Sequence, residues 1–191
     1  MPDDALSKRG RVLEDEYFRK KDRELIEKMR RAGAAERSRR EMGAKTGITD
    51  PEMLQELEAL GFTPDTVILL PLVPVVSMAW ADGSVAQAEH DLIVKLARSR
   101  GVEEGSPADQ QLSAWLMRRP GPDVLTNATR LIRGMLDAQT SEHAELTPDD
   151  LVRYSESIAA ASGGVFGINR ISADERALLT TIAAGLRSRQ P

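Results

Sequence analysis

Two acidic residues, Asp82 and Glu89, come closer than any others in this chain to a metal-binding spacing. Together with Gly83 they match the second half of a calcium-binding EF-hand loop, which ends on a glutamate. Such a loop also needs carboxylates at its first and third positions, where this chain has Met78 and Trp80. The pattern argues against a working EF-hand and leaves a simpler divalent-cation or small-ligand site at Asp82 and Glu89 open.

The same two carboxylates also have a purely structural interpretation. Asp82 can accept hydrogen bonds from backbone amides in a tight turn, in which Gly83 takes a positive φ. Glu89 falls in the first turns of a helix, where the helix dipole favours a negative charge. We prefer this interpretation because it explains the motif without a ligand, and we expect no resident cofactor.

The sequence contains no recognisable set of catalytic residues. His90 and His143 each stand among acidic residues, and neither has a partner at the spacing of a metal site on one helix face. The glycines at Gly163 and Gly164 lack the lysine that follows in a phosphate-binding loop. The chain has no cysteine, which excludes disulfides and thiolate metal sites and favours a reducing compartment. We therefore predict a non-enzymatic, cytoplasmic protein.

The elements that position these residues are predicted to be helices throughout. Hydrophobic residues make up 41% of the chain but aromatic residues only 4%, which favours a helical core over a β-sandwich. Caps and prolines mark helix starts at Asp50-Pro51, Ser106-Pro107, Pro122 and Thr147-Pro148. Capping boxes are predicted at Ser84-x-x-Gln87 and Ser172-x-x-Glu175. We predict an all-α fold, a compact bundle of about seven helices preceded by one long charged helix.

The longest apolar run, residues 67–81, is predicted to be a buried central helix. Pro71 and Pro74 should kink it or split it into two short helices, and a strand at residues 67–70 is the alternative. A membrane-spanning helix needs about 20 apolar residues, so no membrane span is predicted here. Trp80, Trp115 and Phe166 are expected to anchor the core.

Charge divides the chain into two parts. Residues 1–45 hold 14 Lys/Arg and 10 Asp/Glu, a net charge of +4, whereas residues 46–191 carry −8. Residues 3–42 are predicted to form one charged helix, with i,i+4 pairs such as Glu16–Lys20 and Glu24–Lys28, and residues 43–49 a linker. We therefore expect a projecting helix over 1–45 and a helical domain over 46–191.

A helix-entry pattern occurs twice, 86 positions apart, starting at Ala79 and again at Val165. In each copy large apolar residues precede a turn, and a glutamate and an apolar helical stripe follow it. The turns lie at Gly83 and Asn169, and the glutamates are Glu89 and Glu175. The pattern predicts two similar helical hairpins within one domain.

The first copy, Ala79-Trp80-Ala81-Asp82-Gly83 followed by Glu89, resembles the TerB-like helical domain of tellurite-resistance proteins and DjlA-type J-proteins. The resemblance covers roughly residues 50–188 and extends to the second copy around Glu175. It implies a compact all-α domain with a stress-related or adaptor role, and metal binding through Asp82 and Glu89. The second copy departs from the family because Asn169 stands where Asp-Gly would, so a carboxylate is lost at that turn.

A thin apolar stripe along the N-terminal helix is too narrow to bury this helix within a domain. Exposed aromatic residues on a charged helix favour a contact surface for a protein partner. Packing on a second copy of the chain, as a homo-oligomer, is the alternative. Basic residues near Arg30 and Arg39 suit phosphates, but the interleaved acids and the acidic domain argue against nucleic acid. The predicted partner-binding residues are Leu13, Tyr17, Phe18, Leu25 and Met29.

Between Arg9 and Gly43 the charged helix also resembles the zeta-type inhibitor of bacterial F-type ATP synthases. That resemblance implies a helix that regulates a larger ATPase complex. The chain departs from the family at Arg30-Arg31-Ala32-Gly33, where the family has Arg-Arg-Asn followed by an apolar segment. The function predicted from the whole sequence is an adaptor or accessory subunit. Cation or ligand sensing and ATPase regulation are the alternatives.

Overall fold

The computed structural model describes residues 3–138, 147–161 and 173–187, with side chains described for 16–138, 147–161 and 176–186. Within these ranges the chain forms eight α-helices and one 3-10 helix and no strand, which confirms the all-α prediction. The helices are α1 Asp3–Thr46, α2 Pro51–Ala59, the 3-10 helix Val67–Leu72, α3 Val73–Ala79, α4 Gln87–Ser99, α5 Pro107–Met117, α6 Pro122–Ala138, α7 Pro148–Ala161 and α8 Ala173–Arg187.

Contacts within the chain divide it into two units, Met1–Arg40 and Glu41–Pro191. The first unit is the greater part of α1. The second unit, called the compact unit below, contains the last turn of α1 and all the other helices. Among the described residues, no helix combines the length and the apolar character that crossing a membrane requires.

The linker predicted over residues 43–49 is wrong in its first part, because α1 continues to Thr46. Met42 is fully buried in the core of the compact unit. The Thr46 hydroxyl donates a hydrogen bond of 2.8 Å to the Met42 carbonyl, and Gly47, at φ +77°, ends the helix. The last turn of α1 is therefore part of the compact unit.

The apolar run lies at the centre of the compact unit, split as predicted into the 3-10 helix and α3, and it forms no strand. Pro71 lies inside the 3-10 helix, and Pro74 lies in the first turn of α3, where a missing backbone donor costs little. All seven residues of α3 are buried. Around α3 pack α4, α6, α7 and α8.

The two predicted helical hairpins correspond to α3–α4 and α7–α8, each of which is a packed pair. The second helix of each pair begins at Gln87 and at Ala173, which reproduces the 86-residue offset seen in the sequence. Helices α3 and α7 also pack on each other. The second turn, with Phe166 and Asn169, lies outside the described residues.

The two tryptophans belong to the core, as predicted. Trp115 is buried and packs edge-on against Phe62, with ring centroids 5.9 Å apart. Trp80 is half-buried, and its indole N–H donates a hydrogen bond of 2.8 Å to the Trp115 carbonyl. This bond ties the end of α3 to the end of α5.

Candidate functional site

Five large apolar side chains of α1 are exposed to solvent, each by 50–65%. Four of them, Tyr17, Phe18, Leu25 and Met29, were predicted to contact a partner. The fifth, Ile26, was not included in that prediction although its type and spacing qualified it. The helix α1 includes Leu13, but the Leu13 side chain lies outside the described residues. We call these five residues, Tyr17, Phe18, Leu25, Ile26 and Met29, the exposed stripe.

Helical geometry brings the exposed stripe together. At about 100° per residue, Phe18, Leu25 and Met29 lie on one face of α1, within an arc of roughly 40° around the helix axis. Tyr17 and Ile26 flank this face, one on each side. The stripe is about 18 Å long at 1.5 Å per residue. The Tyr17 and Phe18 rings meet edge to face at 5.9 Å, and the Lys21 ammonium lies 5.8 Å from the Tyr17 centroid. The aromatic end of the stripe is thus ordered by local contacts.

The exposed stripe overlaps a strongly basic stretch of the same helix, which continues beyond it to residue 40. Residues 19–40 hold ten Lys/Arg and four Asp/Glu, a net charge of +6, whereas residues 3–18 carry −2. The ion pairs within this stretch are exposed, for example Lys21–Glu24 at 3.6 Å and Arg39–Glu36 at 3.3 Å. Exposed pairs of this kind contribute at most about 1 kcal/mol each. The net charge of +6 already counts the acidic partners, so the stretch stays positive with these pairs formed.

Two of the predicted i,i+4 pairs, Glu16–Lys20 and Glu24–Lys28, do not form between these described side chains. Glu24 pairs instead with Lys21, three residues before it. On a helix surface the i,i+3 and i,i+4 neighbours of a side chain are about equally close, so spacing alone does not choose between them.

Asp82 is used within its own turn. Its carboxylate accepts a hydrogen bond of 3.2 Å from the Ser84 amide, and Gly83 takes φ +95°. Both features match the structural interpretation of the motif. Asp82 therefore stabilises the turn between α3 and α4.

Glu89 is 1% exposed and caps the start of α4. Its carboxylate accepts a hydrogen bond of 2.7 Å from the backbone N–H of Ala86, the residue at which the helix begins to form. The capping box predicted at Ser84 and Gln87 is wrong, because the helix begins at Gln87 and its capping glutamate is Glu89. A buried carboxylate bound to a backbone donor has one oxygen committed to the fold.

The geometry gives little support to the predicted cation site at Asp82 and Glu89. Among the described residues, no cluster of three or more His, Cys, Asp or Glu side chains is arranged to hold a metal ion. His90 is a surface residue whose ring nitrogen lies 3.2 Å from the Asp91 carboxylate. His143 lies outside the described residues.

Sequence reasoning missed a cleft of about 790 Å³ in the compact unit. Residues far apart in the chain line it, from the end of α1 at Lys45, the 3-10 helix at Ile68, the end of α4 at Arg100 and α7 at Tyr154. No local pattern in the sequence joins these positions.

Comparisons of the chain with protein-family models, with curated proteins and with solved structures find no match. The resemblances to the TerB-like domain and to the zeta-type inhibitor therefore remain expectations from the residues quoted above.

Proposed function

We propose that this protein is a non-enzymatic, cytoplasmic adaptor or accessory subunit that binds a different protein through the exposed stripe of α1. In this proposal the compact unit is a TerB-like domain that supplies a second, acidic surface. One observation carries the proposal: five large apolar side chains lie exposed together on a helix that is otherwise highly charged.

Contact of the exposed stripe with water is energetically unfavourable, and a partner that covered these apolar side chains would gain that free energy on binding. Covering a large apolar side chain is worth about 1.5–3 kcal/mol, and aromatic anchors are frequent at the centres of protein interfaces. Tyr17 and Phe18 are two such anchors, already in contact with each other. A groove that accepts residues along one helix face is a common way to bind such a helix.

The charge around the stripe specifies the chemistry of the partner. Because residues 19–40 carry +6, the matching groove should be apolar at its centre and lined by Asp and Glu where α1 continues. The acidic compact unit of a second copy also offers negative charge, −8 over residues 41–191. In a symmetric dimer each α1 would pack on the compact unit of the other chain. We favour a different protein, and the oligomeric state of the purified chain separates the two cases.

The proposal is tested by binding measurements on surface variants of the full chain. The triple variant Phe18→Ser, Leu25→Ser, Met29→Ser removes the centre of the stripe without touching the core. Proteins captured by the wild-type chain from native lysate would be identified and purified, and their dissociation constants measured. We expect the triple variant to weaken binding at least a hundredfold, since about 3 kcal/mol or more of apolar contact is lost.

A matched control is Met117→Ser, which removes an exposed methionine, 80% accessible, at the end of α5. We expect this control to bind like the wild type. Equal binding by the triple variant and the wild type would overturn the proposal. If the triple variant and Met117→Ser weakened the binding of a captured protein equally, that protein would not bind through the exposed stripe.

Cation sensing is the less favoured alternative, because Asp82 and Glu89 each already accept a backbone hydrogen bond. ATPase regulation differs from the adaptor proposal only in the identity of the partner. The same capture experiment separates the two, since an inhibitor would bring down subunits of an ATPase.

A further inference from the structure

We propose that the cleft of the compact unit binds a small organic anion, a carboxylate carried on an apolar chain or ring, with Arg100 as its recognition group. This inference is independent of the proposed role of α1. It rests on the size of the cleft, the apolar part of its mixed polar and apolar wall, and the state of the charged groups around it.

The size and walls of the cleft suit a small molecule. Ligand sites typically measure about 300–1,000 Å³ and are lined mainly by apolar groups with a few polar ones. Here Val67, Val102 and Met135 are buried side chains that form part of the wall. Ile68 is 38% exposed and also lines the cleft. An apolar ligand body would cover Ile68 and displace water from this wall.

Most polar groups at the cleft are already satisfied by the protein. The Lys45 ammonium donates to the Pro64 carbonyl at 2.5 Å and lies 3.8 Å from the Asp65 carboxylate. The hydroxyls of Ser99 and Ser106 bond to backbone atoms at helix ends. These groups therefore hold the walls in place and are poorly available to a ligand.

Arg100 is different. Its guanidinium lies over the Tyr154 ring, with the central carbon 5.6 Å from the ring centroid, and is half-buried. Within the described ranges this guanidinium makes no hydrogen bond and no ion pair. The ring supports one face of the guanidinium and leaves its N–H edges available, in the fork that matches a carboxylate.

The neighbouring carboxylates explain why Arg100 stays unpaired. Asp150 accepts hydrogen bonds from the Thr147 hydroxyl at 2.7 Å and from the Thr147 amide at 3.0 Å. These bonds lower the pKa of Asp150, and the charges of Arg153 and Arg100 contribute to the same shift. Asp65 faces Lys45, and Glu103 is exposed at the rim. The charge of Asp150 acts on Arg100 from nearby, but within the described residues Arg100 makes no ion pair. A half-buried guanidinium in this state favours an anion from solution.

The test is a titration of the full chain with sodium octanoate, followed by amide chemical shifts in two-dimensional NMR. We expect saturable shifts concentrated at Gly101, Val102 and their neighbours. The uncharged analogue 1-octanol and the short anion acetate should each bind at least about tenfold more weakly. The first lacks the carboxylate for Arg100, and the second lacks the apolar chain for the wall.

Two variants locate the binding. Arg100→Gln should weaken octanoate binding about tenfold or more, while Arg118→Gln, an exposed arginine at the end of α5, should leave it unchanged. Ile68→Glu places a carboxylate on the exposed part of the apolar wall and should also weaken octanoate, even if Arg100→Gln proved poorly folded. Absence of saturable shifts, equal binding of 1-octanol, or equal effects of the two arginine variants would each overturn the inference.

Discussion

At the residue scale, Glu89 belongs to a motif that resembles a ligand site, but its carboxylate caps a helix. Its carboxylate is buried and accepts the Ala86 amide at the start of α4. Asp82 acts in the same way on the Ser84 amide. Both residues hold the turn that joins α3 to α4, so the acidic pattern is explained by the fold.

We therefore expect Glu89→Gln to destabilise the protein by about 1–3 kcal/mol, the range for losing a charge-assisted hydrogen bond to a buried group. Glu104→Gln, a change at an exposed glutamate, should have little effect. Urea unfolding of both variants measures the difference. If Ca²⁺ or Mn²⁺ raised the stability of the wild type but not of Glu89→Gln, Glu89 would be a ligand instead.

A second residue-scale prediction concerns Asp109 in α5. Hydrogen bonding to the Gly105 amide, at 2.8 Å, and then to Arg98, at 2.7 Å, holds the pKa of Asp109 below its usual range. A lowered pKa in the folded state stabilises the protein above the unfolded pKa, about 3.9, and this stabilisation is lost as the pH falls toward the folded value.

The stability difference between wild type and Asp109→Asn should therefore be constant near neutral pH and shrink below about pH 4. Urea unfolding at several pH values from neutral to acid checks this. A difference that persisted unchanged to the lowest pH would show that Asp109 acts by packing and not by its charge.

At the element scale, helix starts were predictable where the signal is local. Asp50 accepts the Glu52 amide at 2.8 Å, and Ser106 accepts the Asp109 amide at 3.1 Å, both at predicted caps. The end of α1 was not predictable, because the burial of Met42 depends on helices far along the chain. The capping box of α4 was misplaced, since the alanine at the cap position, Ala86, gives no capping signal.

The glycines of α1 give an element-scale prediction. A Cβ on Gly43 would lie 2.8 Å from the Ile48 carbonyl oxygen, whereas a Cβ on Gly33 would meet only the end of the Arg37 side chain at 3.8 Å. Gly43→Ala should therefore destabilise the compact unit, by about 1–3 kcal/mol for an overpacked site. Gly33→Ala should be neutral or stabilising, by up to about 1 kcal/mol.

Thermal unfolding and helix content by circular dichroism measure both changes. Equal effects of Gly43→Ala and Gly33→Ala would mean that the last turn of α1 does not pack as described. A larger loss for Gly33→Ala would contradict the open space that the structure leaves for a Cβ at this position.

At the scale of the whole molecule, the boundary between the units decides how the chain can be divided. The sequence placed the division at residue 45, on the basis of charge and glycine. Internal contacts place it after Arg40. The distribution of charge along the chain indicates which surfaces are exposed. It does not indicate that the last turn of α1 contributes a buried side chain, Met42, to the core.

A chain that begins at Glu41 should consequently unfold like the full-length protein. A chain that begins at Gly47 lacks Met42, a fully buried side chain, and should lose about 2–5 kcal/mol. Urea unfolding of the two shortened chains makes the comparison. Equal stability of the two would show that the last turn of α1 contributes nothing to the core.

The cleft at Arg100 was invisible from sequence for a similar reason. Lys45, Arg100 and Tyr154 are each about 55 residues from the next, and the packing of α4 on α7 brings the last two together. The exposed stripe, in contrast, lies on one helix and follows the helical period, so four of its five members could be named in advance.

The central claim is that the exposed stripe contacts a different protein, and photo-cross-linking in cells tests it most directly. The photoreactive amino acid p-benzoylphenylalanine would replace Phe18 in the full chain, and Met117 in a matched chain. We predict a discrete adduct, containing one other protein, from position 18 and none from position 117. No adduct from position 18, the same adducts from both positions, or an adduct made only of two copies of this chain would contradict the account.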